Sequence, residues 1–168
     1  MSRTYSFTVP YSAPVTLLHR AYTDPEAWRA RFAEAKSANY ELDHPDGAGS
    51  IRIHMSEKVG GDAVPKVVRS VLGREFTLER TDIWNPLAGE RATGSFTAAT
   101  TGVRGELSGD YLLRPTAEGA VLEISGQAKF DVPVVGGALE RMVEQLHQRV
   151  VQNEREFFAT WLAEHPEG

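Results

Sequence analysis

Few side chains in this sequence have both the type and the spacing for chemistry. The five histidines are His19, His44, His54, His147 and His165, and no two stand at i, i+4 or within an HExxH context, so a helical metal site is not expected. Cysteine is absent, which removes disulfides, thiolate ligands and thiol nucleophiles together. Ser108 and the threonines Thr93, Thr97, Thr100 and Thr101 have no base that the sequence places beside them, so a nucleophilic triad has no support. Neither a metal nor any other cofactor is expected, and no catalytic residue is assigned.

Two departures from clean apolar patterning are more informative. Arg80 shares strand parity with Phe76 and Leu78 and stands two residues before Asp82. If both face inward they form an internal ion pair or the polar end of a pocket. A bulge that turned Ile83 inward instead would remove them from the interior. Farther on, Asn153 and Glu154 interrupt the apolar face of a helix. A buried amide or carboxylate needs partners. Asn153 is read as a group that orients a ligand's polar end, Glu154 as a solvated notch or a partner of Arg80. His147 falls at the edge of the same face, and His54 lies opposite Ile51, Ile53 and Met55, toward solvent.

These groups must be held by the elements that the periodicity predicts. Arg3 to Val9 alternates with Tyr5, Phe7 and Val9 on one face, the pattern of a half-buried strand, and Pro10 is expected to end it. Helical spacing follows, with Ser12 as N-cap and Val15, Leu18, Ala21 and Tyr22 inward; Asp24-Pro25 then caps a second helix carrying Ala27, Trp28 and Phe32. A hairpin is expected over 38–58 around Pro45-Asp46-Gly47. KVVRSVL, residues 66–72, fits two turns of helix, and the stretch 60–72 is read as a movable cover. Four further strands, 75–84, 91–100, 104–114 and 120–132, are joined by short connections and so are antiparallel neighbours.

A terminal helix is expected from about Gly137 to His165, roughly 40 Å long. Leu139, Met142, Val143, Leu146, Val150, Phe157 and Trp161 fall within about 60° of one direction around it and form an inward stripe. The strands facing it carry glycine and alanine at inward positions: Gly94 with Phe96 and Ala98, Gly109 with Tyr111, Gly126 with Ala128 and Phe130. Glycine contributes no packing volume to a buried face, so these positions imply either strong curvature and a close helix approach or an unfilled space between sheet and helix. Pro133 and Gly136-Gly137 permit the turn that sends the helix back across the concave face.

Length and charge set the outer limits. The chain has 168 residues, 41% hydrophobic and 24% charged, the size and mix of a single globular domain over 1–168. A net charge of −5 without a Lys/Arg block longer than two argues against a nucleic-acid partner. The N-terminus lacks the apolar core of a signal peptide, and no run approaches a membrane span, so a cytoplasmic protein without stable membrane insertion is expected.

The order of elements, one strand, two helices, a strand series and a long terminal helix, resembles the START-like helix-grip (SRPBCC) superfamily, which includes the birch-pollen-allergen and polyketide cyclase branches. VPKVVRSVLG at 64–73, ERTDIW ending at Trp84 and FDVPVVGGALE from Phe130 resemble an uncharacterised bacterial branch of it, a domain of unknown function. The resemblance implies an α+β fold, a seven-stranded curved antiparallel sheet wrapped around the long C-terminal helix, with a mainly apolar cavity between them. It implies a lipid, sterol or polyketide-like ligand, and for some members cyclase, aromatase or hydrolase activity. The expected partner is therefore a hydrophobic small molecule, bound by Phe96, Tyr111, Phe130, Met142, Leu146, Asn153 and Arg80, with Gly94, Gly109 and Gly126 making space. Two other readings stay open. A cyclase or dehydratase-like enzyme would gather perturbed polar groups at one end of the cavity, and a protein-interaction module would fill its interior and expose an apolar patch.

Overall fold

The computed structural model describes residues 2–34, 38–60, 66, 69–70, 75–101 and 103–166. Seven strands form one antiparallel sheet: β1 (Ser2–Tyr11), β2 (Ala38–Asp43), β3 (Ile51–Gly60), β4 (Glu75–Trp84), β5 (Ala92–Thr100), β6 (Gly105–Thr116) and β7 (Gly119–Phe130). Their order is β1-β7-β6-β5-β4-β3-β2, with β1 and β2 at the edges. Helices α1 (Val15–Tyr22) and α2 (Pro25–Glu34) follow β1, and α3 (Gly136–Glu164) closes the chain against the concave face. This is the α+β helix-grip architecture. No helix among the described residues is long and apolar enough to cross a membrane.

Strand alternation places side chains where the two-residue period requires. Ala92, Gly94, Phe96, Ala98 and Thr100 are buried along β5, and Leu107, Tyr111 and Leu113 along β6. On β4, Phe76, Arg80, Asp82 and Trp84 are all buried. The strand has no bulge in this stretch, because its register against β5 runs unbroken from Leu78 to Trp84. Arg80 and Asp82 therefore both face the interior.

Two details differ from expectation. Pro10 does not end β1, which continues to Tyr11 in register with Ala120 of β7; an edge strand tolerates a missing N–H on its unpaired side. Ser12 does not cap α1, whose N-cap position is Pro14 with no side-chain cap bond. Asp24, by contrast, caps α2 as its type predicts, its carboxylate accepting the Glu26 N–H at 2.9 Å. Of the expected helix over 66–72, Lys66, Arg69 and Ser70 are helical, and the rest, like most of the cover over 60–72, lies outside the described residues.

The largest difference is the rotation of α3. Its buried residues are Gly136, Leu139, Glu140, Met142, Val143, His147, Val151, Glu154 and Phe158, so beyond Val143 the buried face is not the expected stripe. Leu146, Phe157 and Trp161 are only partly buried against the core. The helix is pinned beside the edge strand by polar contacts: Arg3 donates to Glu144 at 3.0 Å, and Arg155 donates to the Pro10 carbonyl at 2.7 Å. With that orientation fixed, His147 and Glu154 turn toward the sheet and Asn153 turns to solvent. Its first turns are tied to β7 through Glu140, whose buried carboxylate accepts the Phe130 N–H at 3.2 Å.

Candidate functional site

Between α3 and the middle of the sheet lies a pocket lined by Leu78, Ala98, Leu107, Val143, Leu146 and Val150, with Phe96, Arg80 and His147 completing it. Its volume is about 30 Å³, room for roughly two waters. Gly94, Gly109 and Gly126 are not among the described residues that line it. A Cβ on Gly109 would stand 2.5 Å from Cζ of Phe96, and one on Gly126 would stand 2.5 Å from the Tyr5 ring. On Gly94 it would meet the Trp84 ring at 3.3 Å. Each glycine is a seat for an aromatic ring, and those rings occupy the space. The glycines do permit a close approach, by backbone as well as side chains of neighbouring strands: a Cβ would stand 2.5 Å from Ile83 O on Gly94 and 2.1 Å from Ser125 O on Gly109.

Beside the pocket a polar cluster spans the sheet and α3. Arg80 Nε donates to Asp82 Oδ1 at 3.0 Å, and Nη2 donates to Asp82 Oδ2. Nη2 also lies 3.5 Å from both the Tyr111 hydroxyl and Glu154 Oε1. The Tyr111 hydroxyl donates to Asp82 Oδ2 at 3.3 Å and stands 3.3 Å from His147 Nε2. His147 Nδ1 is 2.8 Å from the Tyr5 hydroxyl.

Proton counting fixes the direction of this chain. An ionised carboxylate only accepts, so Tyr111 spends its single proton on Asp82 and can only accept from His147. His147 therefore carries its proton on Nε2, and Nδ1 accepts from Tyr5. A neutral imidazole satisfies both bonds with nothing left over.

The electrostatics agree with that assignment. Burial, and then the charge of Arg80, push His147 down to about 3. Its ring packs 4.5 Å from that of Phe96 and edge-on to Phe7 at 5.8 Å, an apolar cage that disfavours the cation. Burial alone would lower Arg80, but Asp82 and Glu154 outweigh it and hold the guanidinium well above its ordinary value. Burial raises Glu154 against the pull of Arg80, with Asp82 adding to the rise. Burial and then Asp82 push the Tyr111 phenol well up, and burial followed by Glu144 raises Tyr5.

Of the residues expected to bind a ligand, Arg80, Phe96 and Leu146 line the pocket, and Tyr111 belongs to the adjoining polar cluster. Phe130 and Met142 are core residues, 3% and 4% exposed, and do not line it. Asn153 is exposed and faces a surface groove with Arg31 and Glu34, so it cannot orient a ligand in the interior. Tyr5, His147 and Glu154 were not among the expected site residues. The parity of Tyr5 with Phe7 and Val9 was a usable signal, and so was the break that Glu154 makes in the apolar helix face, read as a solvated notch or a partner of Arg80. Nothing local to the helix distinguished His147 from a boundary residue.

A curved antiparallel sheet gripping one long helix is the α+β helix-grip fold. Within that fold the chain belongs to the DUF2505 family, described as proteins of unknown function, which matches residues 6–162. The chain is 25% identical over 171 residues to the uncharacterized protein Rv0481c of Mycobacterium tuberculosis, covering 96% of this chain and 98% of that protein. Among solved structures it is similar to Ara h 8.0201, with a TM-score of 0.61 at 11% identity over 98% of this chain and 99% of that one. It is also similar to a START superfamily protein from Mycobacterium smegmatis, with a TM-score of 0.56 at 10% identity over 94% and 98% of the two chains. Norcoclaurine synthase from Thalictrum flavum matches with a TM-score of 0.57 at 14% identity over 98% and 88%. At these identities the structural likeness establishes the fold.

Proposed function

We propose that the chain is a single domain that binds a small hydrophobic or amphipathic molecule between the sheet and α3, as a carrier or sensor. The observation that carries this reading is the pocket itself: seven apolar side chains, Leu78, Phe96, Ala98, Leu107, Val143, Leu146 and Val150, converge on one unfilled space beside a buried arginine. An apolar surface left uncovered inside a closely packed interior forfeits dispersion contacts that a ligand would restore. Leu146 and Val150 are only partly buried, so a ligand larger than the resting volume enters as these side chains turn aside.

A second reading has one observation in its favour. Arg80, Asp82, Tyr111, His147 and Glu154 converge beside the pocket, as a cyclase or dehydratase-like enzyme would require. The chemistry of the groups favours binding instead. His147, at about 3, is too weak a base for proton abstraction near neutral pH, and Tyr111 is held well above its ordinary value, away from the range in which general acids and bases work. The cluster serves to fix α3 to the sheet and to present one oriented edge to the pocket.

Solvent extraction of the purified chain with native and denaturing mass spectrometry tests the binding reading. A small apolar molecule recovered at near-stoichiometric amount is expected. An empty protein that also shows no thermal shift with fatty acids, sterols or aromatic polyketides would remove the carrier reading.

A further inference from the structure

The guanidinium at the pocket wall is unevenly used. Arg80 Nε and Nη2 carry every bond to Asp82, Tyr111 and Glu154, and among the described residues Nη1 has no partner. Arg80 itself lines the pocket, and its side chain is 10% exposed. Nη1, unused by those bonds, is a donor available to an acceptor in the pocket.

The charge around it decides which acceptor. Asp82 and Glu154 already place two carboxylates on this one guanidinium. Arg31 acts on Glu154 from α2 but is not among the pocket-lining residues. A ligand carboxylate at Nη1 would be a third anion beside one lining cation, and an ammonium would meet Arg80 directly. His147 offers no further donor or acceptor, since both ring nitrogens are engaged by Tyr5 and Tyr111.

We propose that the pocket selects an uncharged ligand, with an apolar body against Leu78, Leu107, Val143 and Val150 and one carbonyl or hydroxyl oxygen accepting from Arg80 Nη1. This rests on the binding reading above and specifies its ligand class. Selection against carboxylates is set by Glu154, which makes Glu154 a specificity-determining residue that needs no contact with the ligand.

The test is a calorimetric titration at pH 7 with a chain-matched set, 2-octanone, octanoate and octylammonium, on the wild type and on Glu154→Gln. Gln keeps the size and hydrogen-bonding capacity of the side chain and removes its charge. The wild type should bind 2-octanone about tenfold or more tighter than octanoate, and that preference should narrow by about threefold or more in Glu154→Gln, through tighter octanoate binding. Octanoate or octylammonium binding as tightly as the ketone in the wild type, or an unchanged ratio in the variant, would overturn the charge selection while leaving the binding reading intact. No binding by any of the three probes to a folded wild type would remove both.

Discussion

Tyr111 on β6 and His147 on α3 meet across the sheet–helix boundary with the phenolic oxygen 3.3 Å from Nε2, and the contact sets the protonation of the whole cluster. Because Tyr111 also donates to Asp82, the imidazole must donate through Nε2, and the chain of bonds runs in one direction from Tyr5 to Asp82. Two neutral aromatic side chains thus connect a half-buried edge strand to a buried ion pair.

The first prediction concerns His147. A neutral imidazole protonated at Nε2 should give the corresponding pair of nitrogen shifts in a long-range 1H–15N spectrum, unchanged from pH 8 down to about pH 4. Protonation at Nδ1, or titration near the ordinary value of 6.5, would break the proposed direction of the chain.

The same group makes folding sensitive to acid. Its folded value of about 3 lies below the ordinary 6.5, so protons bind the unfolded state preferentially. This contribution to stability is complete above the unfolded value, and it is lost as pH falls from about 6.5 toward 3. The loss from this group alone reaches on the order of 4 kcal/mol. In denaturant melts across that range, His147→Gln should show a shallower decline than the wild type, and parallel curves would contradict the assignment.

Arg80 should behave as a buried cation whose removal exposes its partners. Arg80→Met leaves the Asp82 and Glu154 carboxylates without their counterion and should cost about 3–5 kcal/mol at neutral pH. Replacing the set together, Arg80→Met with Asp82→Leu and Glu154→Gln, should recover most of that loss. Chemical unfolding of the single and triple variants measures both, and a triple variant no more stable than the single would show that the cost is in packing.

The glycine seats give a fourth prediction. On Gly109 an added methyl would meet Ser125 O at 2.1 Å and Cζ of Phe96 at 2.5 Å, one of them backbone that cannot turn away. Gly109→Ala should cost about 1–3 kcal/mol by overpacking, measurable as a lower unfolding midpoint. A neutral result would mean that the space over this strand is open after all.

Much of the fold was legible because it depends on period. Alternation along β5, β6 and β7 identified the inward faces, and Asp24-Pro25 marked the start of α2. It even placed Arg80 and Asp82 inward, one of the two alternatives left open. What period cannot show is what fills a face once it is inward. Gly109 and Gly126 leave the same signature whether a cavity or an aromatic ring lies above them, and the rings come from Phe96 and Tyr5 on other strands. The α3 face failed for a related reason. Leu146, Phe157 and Trp161 made the more hydrophobic stripe, but the helix turned His147 and Glu154 inward because Tyr5, Tyr111 and Arg80 were there to receive them. Glu154 at least broke the apolar face of its helix, whereas His147, paired through long-range contacts at the edge of that face, carried no mark in its own neighbourhood.

Methyl-resolved NMR of the chain titrated with 2-octanone tests the central claim most directly, since the pocket walls are rich in methyl groups. Saturable shifts should be concentrated at Leu78, Ala98, Leu107, Val143, Leu146 and Val150, with the Arg80 side-chain resonances moving alongside them. No shifts at these methyls in the folded protein, or shifts confined to surface positions such as fully exposed Val134, would contradict a ligand site between the sheet and the terminal helix.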